Sequence, residues 1–372
     1  MKKFTLILAT VALLAAGCSK TEVVGPQNRK GINFAAYTAK TTKAAQEDVT
    51  TENLENFEVT AFGNGALYFD DVTFKKNRVS TVWESATKYF WPAFPLTFCA
   101  YNTPIEYNDL AHKTGFARTI TTTTQELEVS PAAELAYQQD LVAAYAADKR
   151  ASDAVNTNHS LSLTFNHYLT QVTVKATNEN STYQVVVDGV KIANMVGHGK
   201  YTFSENKMTA APGYTNTAVY TATFDGKKLT SVAQEVMTNA GTGKWYLIPQ
   251  IVTSWNPGTD YPNTNPSHGT YLALKVKITA NSGALKIYPA TGENSGWMAV
   301  PIPSGLKFEQ GKKYTVNINF FANNGAGYVD PEAGSDLDGD EVANDNGKKI
   351  SGEIKFNATV DPWGNNDIEI NL

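Results

Sequence analysis

The chain has 372 residues, with 31 Lys and Arg against 36 Asp and Glu, for a formal net charge of -5. That length gives a prior of about two domains, and an aromatic content of 11% is enough to build substantial cores. Charges of both signs are spread along the chain, which excludes the concentrated basic footprint of a nucleic-acid-binding protein.

Lys2 and Lys3 precede an apolar run from Phe4 to Ala16 that ends in small residues, the pattern of a secretory signal. The run is too short to cross a bilayer, which takes about 20 apolar residues. Leu14-Ala15-Ala16-Gly17-Cys18 resembles the lipobox of bacterial lipoproteins, with Ala15 standing where a leucine is usual. The resemblance implies cleavage before Cys18, acylation of its sulfur and a lipid anchor in the outer membrane. The other cysteine, Cys99, lies in the apolar run Leu96 to Tyr101 and reads as a small buried hydrophobe. With Cys18 acylated, no intrachain disulfide is possible, and stability has to come from packed cores.

Ser19 to Lys30 is polar, contains Gly25-Pro26 and reads as a tether. Gly31 to Tyr37 is a short strand candidate, stranded before a polar stretch from Thr38 to Asn53. From Phe57 onward the alternation of apolar and polar residues becomes regular. Phe57 to Phe62 and Ala66 to Phe69 flank Gly63-Asn64-Gly65, which predicts a hairpin and not a phosphate loop, because no helix pattern follows. Tyr89-Phe90-Trp91, Leu96 to Tyr101, Leu161 to Phe165 and Gln171 to Ala176 are further strand candidates. Pro131 to Lys149 is rich in alanine and predicts one helix, placed as an insertion over a sheet edge.

Thr177 to Ser181 is a polar cluster suited to a linker. Beyond it, strands are expected at Tyr183 to Val187, Tyr201 to Phe203, Ala218 to Phe224, Trp245 to Ile248, Tyr271 to Ile278, Trp297 to Val300 and Tyr314 to Phe320. Their spacing suits an antiparallel sandwich, with Ser254 to Gly269 as a loop. The segmentation is a signal peptide at 1–17, a tether with the first strand at 18–43, β-sandwiches at 44–177 and 178–349, and a C-terminal segment at 350–372.

No residue constellation points to catalysis, a metal or a cofactor. The histidines, His112, His159, His167, His198 and His268, form no pair at metal-ligand spacing, and His167 reads as a structural histidine between apolar positions. Asp336 to Glu341 invites a calcium reading. However, Gly339 falls at the fourth place of that loop where an EF-hand requires the sixth, and the twelfth place is Gly347, so a solvated acidic loop is expected. The aromatics from Trp83 to Tyr101 read as core rather than as a platform for sugars.

The stranded first segment has an echo near the other end. Ile32-Asn33-Phe34-Ala35-Ala36 matches Ile354-Lys355-Phe356-Asn357-Ala358 at Ile, Phe and the last Ala, three positions on one face of a strand. A second alternating segment follows, Ile368 to Leu372. If the Ile32 strand fills a groove, a cut after it would open that groove to the same knobs from another molecule. Lys40 and Lys43 are the candidate cut sites after the strand, with Lys43-Ala44 in the more polar setting. Head-to-tail repetition of such a contact produces an open filament.

The lipobox, the tether, Ile-x-Phe ahead of the Thr-Lys-Ala site, Tyr89 to Pro92 and Phe165-x-His167-x-Leu169 together resemble the fimbrillins of Bacteroidia, the subunits of type V pili. The resemblance implies an all-β fold of two transthyretin-like antiparallel β-sandwich domains, here with a short helical insertion. It also implies export as a lipoprotein, trypsin-like proteolysis that removes the first strand, and polymerisation through C-terminal strands. On this expectation Cys18 is lipidated and Lys43-Ala44 is cut. Ile32, Phe34 and Ala36 are the removable plug, and Ile354, Phe356, Ala358, Val360, Ile368 and Ile370 are the donor residues. The partners are other pilin subunits and a host or bacterial surface ligand. An uncut tip or anchor subunit would keep its lipid, and a shaft subunit would lose it. The alternative from a different class is a monomeric surface lipoprotein that binds glycans or host ligands and keeps its first strand.

Overall fold

The computed structural model describes residues 30–38, 48–107, 112–156, 159–211, 216–237, 243–257, 269–290, 294–322, 327–330, 355–362 and 368–370. The fold is all-β. Strands β1 (Phe34–Thr38), β2 (Asn56–Gly63), β3 (Ala66–Lys76), β4 (Trp83–Ser85) and β5 (Leu96–Tyr101) are followed by β6 (Gly115–Ile120), β7 (Gln125–Ser130), β8 (Val142–Lys149) and β9 (Leu161–His167). Seven of them close a barrel in the order β1-β4-β3-β2-β5-β8-β9, where an open sandwich had been expected. The β2–β3 hairpin turns at Asn64 and Gly65, both at positive φ, as the Gly-Asn-Gly signature predicts.

Alternation explains the barrel. Phe57, Val59, Phe98 and Ala100 point inward with Phe34, Phe74, Leu163 and Phe165, all buried. Phe98 follows Thr97 and Ala100 follows Cys99, whose side chain goes to the opposite face and a second core. Burial pushes the Cys99 thiol up to about 12. In a Cys18→Ser background a thiol reagent is therefore expected to modify Cys99 only on unfolding, which a thiol titration with and without denaturant checks.

The helix predicted over Pro131 to Lys149 does not form. A single 3-10 turn, Leu135–Tyr137, is followed by β8 across Val142–Lys149. Val142, Ala144 and Ala146 enter the barrel core while Ala143 packs on the other face, so tertiary burial overrides the helix propensity of alanine. Tyr89 to Trp91 also falls short of a strand, contributing one isolated bridge between Phe90 and Gly31.

The second half carries β10 (Thr170–Asn178), β11 (Tyr183–Val196), β12 (Gly199–Thr202), β13 (Lys207–Ala210), β14 (Asn216–Lys228), β15 (Gln234–Glu235), β16 (Trp245–Leu247) and β17 (Gln250–Ile251). It continues with β18 (Tyr271–Ala280), β19 (Leu285–Tyr288), β20 (Gly296–Pro301), β21 (Lys307–Phe308), β22 (Lys312–Phe320), β23 (Tyr328–Val329), β24 (Lys355–Pro362) and β25 (Ile368–Ile370). One sheet runs β15-β10-β22-β24-β25 with β16 beside β10, and the other runs β14-β11-β18-β20-β23 with β19 beside β18. Val172, Val174, Val316 and Ile318 of the first meet Val187, Ile192, Leu272 and Leu274 of the second in one buried core. The polar stretch Thr177 to Ser181 spans the end of β10 and the turn into β11, whose two sheets share that core.

A four-stranded sheet, β13-β12-β7-β6, stitches the halves together, with Leu127 of β7 opposite Tyr201 of β12. Beneath it Tyr101, Leu127, Tyr168, Tyr201, Phe203 and Tyr246 form a continuous buried cluster. No helix among the described residues is long and apolar enough to cross a membrane.

Candidate functional site: the first strand and its seam

The first strand is threaded into the barrel rather than laid on it. β1 runs parallel to β9, from Phe34 opposite Leu161 to Thr38 opposite Phe165. On its other side it meets β4 antiparallel at a single pair, Phe34 with Trp83. Ahead of the strand, Ile32 N donates to the Tyr89 carbonyl at 2.8 Å and Trp91 N donates to the Lys30 carbonyl at 3.1 Å.

Ile32, Phe34 and Ala36, the expected plug, are 1%, 0% and 2% exposed, whereas Tyr37 on the opposite face is 47% exposed. The Phe34 ring meets Phe74 edge-on at 4.7 Å and Phe98 at 5.3 Å between centroids, and lies 6.1 Å from Phe57. Burying Ile32 and Phe34 stabilises the closed barrel by roughly 3–6 kcal/mol together. At the far end, Thr38 and Thr51 exchange hydrogen bonds, Thr38 N to Thr51 Oγ1 at 3.0 Å and Thr51 N to Thr38 Oγ1 at 3.1 Å.

Chain that follows is fastened by a buried polar node invisible in the sequence. Asp48, fully buried, accepts from Lys244 Nζ at 2.6 Å, Lys313 Nζ at 2.8 Å, Tyr246 OH at 2.8 Å and Gln171 Nε2 at 2.7 Å. Burial pushes the Asp48 carboxyl up, but the hydrogen bonds and charges of the two lysines outweigh it and hold the group at about 2. Next to it, Val49 N donates to Asp140 Oδ2 at 2.7 Å, and the same carboxylate meets His167 Nδ1 at 2.9 Å. His167 is therefore the structural histidine expected from its setting. The Asp48 partners lie 123 to 265 residues away in the chain, which is why no local pattern announces them.

The C-terminal strand is at home in its own sheet. β24 pairs antiparallel with β22, Phe356 opposite Ile318, Ala358 opposite Val316 and Val360 opposite Tyr314. β25 pairs with β24, Ile370 opposite Ala358 and Ile368 opposite Val360. Cys18, Lys40, Lys43, Ala44, Ile354, His268 and the acidic run Asp336 to Glu341 lie outside the described residues. Among the described residues no group of three or more His, Cys, Asp or Glu is arranged to hold a metal. The aromatics weighed as a sugar platform are core, with Trp83 at 1% and Phe98 and Tyr101 at 0% exposure, while Tyr89 and Trp91 pack against the barrel core.

A family model described as fimbrillin-like matches residues 41–363, most of the chain. The chain belongs to the fimbrillin-like family. One solved structure with a TM-score above 0.5 shares the fold. A fimbrial protein from Bacteroides vulgatus superposes with a TM-score of 0.55 at 13% identity, covering 90% of this chain and 100% of that one. The fimbrial anchor protein Mfa2 from Porphyromonas gingivalis gives a TM-score of 0.32 at 12% identity, over 79% of this chain and 92% of that one. No curated protein matches in sequence.

Proposed function

We propose that this fimbrillin-like chain is a structural subunit of a cell-surface fimbrium that supports adhesion, is exported as a lipoprotein through Cys18, and is activated by a cut at Lys43-Ala44. Polymerisation then proceeds by strand exchange. Residues 354–360, with 368–370 behind them, replace Ile32, Phe34 and Ala36 in the seam of the next subunit. The partners are other pilin subunits, the site is the outer surface of the cell, and the role is mechanical rather than catalytic. The two halves are read as the transthyretin-like pair of the family, the first of them closed into a barrel.

One observation carries this reading. The first segment brings three buried side chains, one full ladder to β9 and a single pair to β4, with lysines beyond its end. The matching Ile-x-Phe-x-Ala spacing near the C-terminus supplies a replacement of the same shape. The buried state of Trp83, Phe98 and Tyr101 weighs against the rival glycan-binding monomer.

Limited trypsin treatment, followed by N-terminal sequencing, intact mass and gel electrophoresis, tests it. The expected result is a cut at Lys43-Ala44 followed by ladders of oligomers, abolished by deleting residues 350–372. A chain that is cut there and stays monomeric sinks the shaft-subunit reading.

A further inference from the structure

The seam is closed unevenly. The Asn33 carbonyl accepts from Leu161 N at 2.9 Å, so Asn33, Ala35 and Tyr37 aim their backbone groups at β9. Phe34, Ala36 and Thr38 aim theirs at the opposite edge. There Phe34 is paired with Trp83, and Thr38 N is taken by Thr51 Oγ1. Ala36 lies between these two anchors with no β4 residue in register. It faces a groove of about 310 Å³ walled by Ala35, Tyr37, Glu52, Lys76, Thr81 and Trp83. The outer wall is firmly built. Lys76 Nζ donates to the carbonyls of Thr51 and Glu52 at 2.8 and 2.9 Å, and Trp83 Nε1 donates to the Leu54 carbonyl at 2.9 Å.

A cut after Lys43 breaks a covalent bond but does not empty the seam, because Ile32, Phe34 and Ala36 stay buried and the β9 ladder stays made. Spontaneous departure would expose all three side chains at once. A second strand that enters the groove and first pairs with the unpartnered edge at Ala36, itself 2% exposed, can instead trade places residue by residue. That edge lies toward the end of β1 that the cut would free.

We propose that the groove beside Ala36 is the toehold at which the C-terminal segment of a second copy adds to β1 before displacing it, a proposal that rests on the strand-exchange reading above. Backbone without a ladder partner at a strand edge recruits an extended segment through main-chain hydrogen bonds, and the side chains then decide the register. The occupant is set by the spacing Ile354-x-Phe356-x-Ala358, which repeats that of Ile32-x-Phe34-x-Ala36.

The test uses the full chain nicked by trypsin and a fluorescent peptide of residues 350–372, with binding followed by anisotropy. Ala36→Pro removes the N–H that faces the groove while leaving the β9 ladder, made by Ala35 and Tyr37, intact. Ala35→Lys places a charge at the groove wall without touching that backbone. Both variants are expected to slow association by about tenfold or more. Simple loosening of β1 would speed association, which is the opposite sign. Association at the wild-type rate or faster in both variants overturns the toehold while leaving strand exchange standing. A nicked wild-type chain that never binds the peptide overturns both.

Discussion

Phe34→Ala is expected to lower the stability of the uncut chain by about 3–5 kcal/mol, the range for truncating a fully buried phenylalanine. The ring is 0% exposed and wedged among Phe57, Phe74 and Phe98. Its backbone also makes the single β1–β4 pair that closes the barrel. The walls come from three different strands, β2, β3 and β5, so they cannot collapse together onto the vacated space. Urea unfolding monitored by near-ultraviolet circular dichroism measures the loss. Tyr37→Ala, further along the same strand on its exposed face, serves as the control and is expected to shift stability by less than about 0.5 kcal/mol. A loss below about 1 kcal/mol for Phe34→Ala would mean that the first strand is not seated as described. In the nicked chain the same substitution is expected to let the first strand dissociate unaided, which gel filtration of the nicked protein detects.

Asp48→Ala is expected to cost a similar amount, about 3–5 kcal/mol, for a different reason. It strips the buried Lys244 and the part-buried Lys313 of their shared carboxylate. Removing a directly bonded carboxylate from a desolvated ammonium group is costly. The effect also has a pH signature. The folded carboxyl sits at about 2, below its ordinary 3.8. Its contribution is therefore complete above about pH 4 and is lost as pH falls through about 2, a change of about 2–3 kcal/mol. Asp70 is likewise held below its ordinary value, by its hydrogen bond from Arg118. The difference between wild type and Asp48→Ala isolates the Asp48 share. That difference is expected to be flat from pH 5 to 7 and to narrow toward pH 2, by acid-titrated unfolding. A difference that does not change with pH would refute an ionised Asp48.

Strands that keep one face apolar were legible in the chain. β2, β5, β9, β10, β18, β20 and β22 all fall where alternation places them, because period-2 burial leaves a local trace. The buried face of the first segment was legible for the same reason, since Ile32, Phe34 and Ala36 share it. Other features left no such trace. Val142 to Lys149 contains four alanines, and a small residue says little about whether a helix or a crowded barrel will hold it. Barrel closure depends on β1 meeting β9 across more than a hundred intervening residues, a pairing that periodicity does not encode. The Asp48 node is the extreme case: an aspartate in a polar run, with nothing nearby to separate it from a solvated one, is fixed by lysines 196 and 265 positions away. Long-range electrostatics of that kind become visible only once the sheets have assembled.

The strand that holds the plug does not end in the barrel. β9 stops at His167 and β10 starts at Thr170, so one nearly continuous run of chain belongs first to the plug's ladder and then, through β22, to the ladder of the C-terminal strand. A filament of such subunits pulled lengthwise would pass tension from seam to tail most directly through this run, with Tyr168 and Leu169 as the buried coupling. The barrel wall and the β14-β11-β18-β20-β23 sheet would stand beside the cable rather than in it. Ladders loaded along their length share the force over many bonds at once. The decorated outer faces could then change shape freely without weakening the fibre.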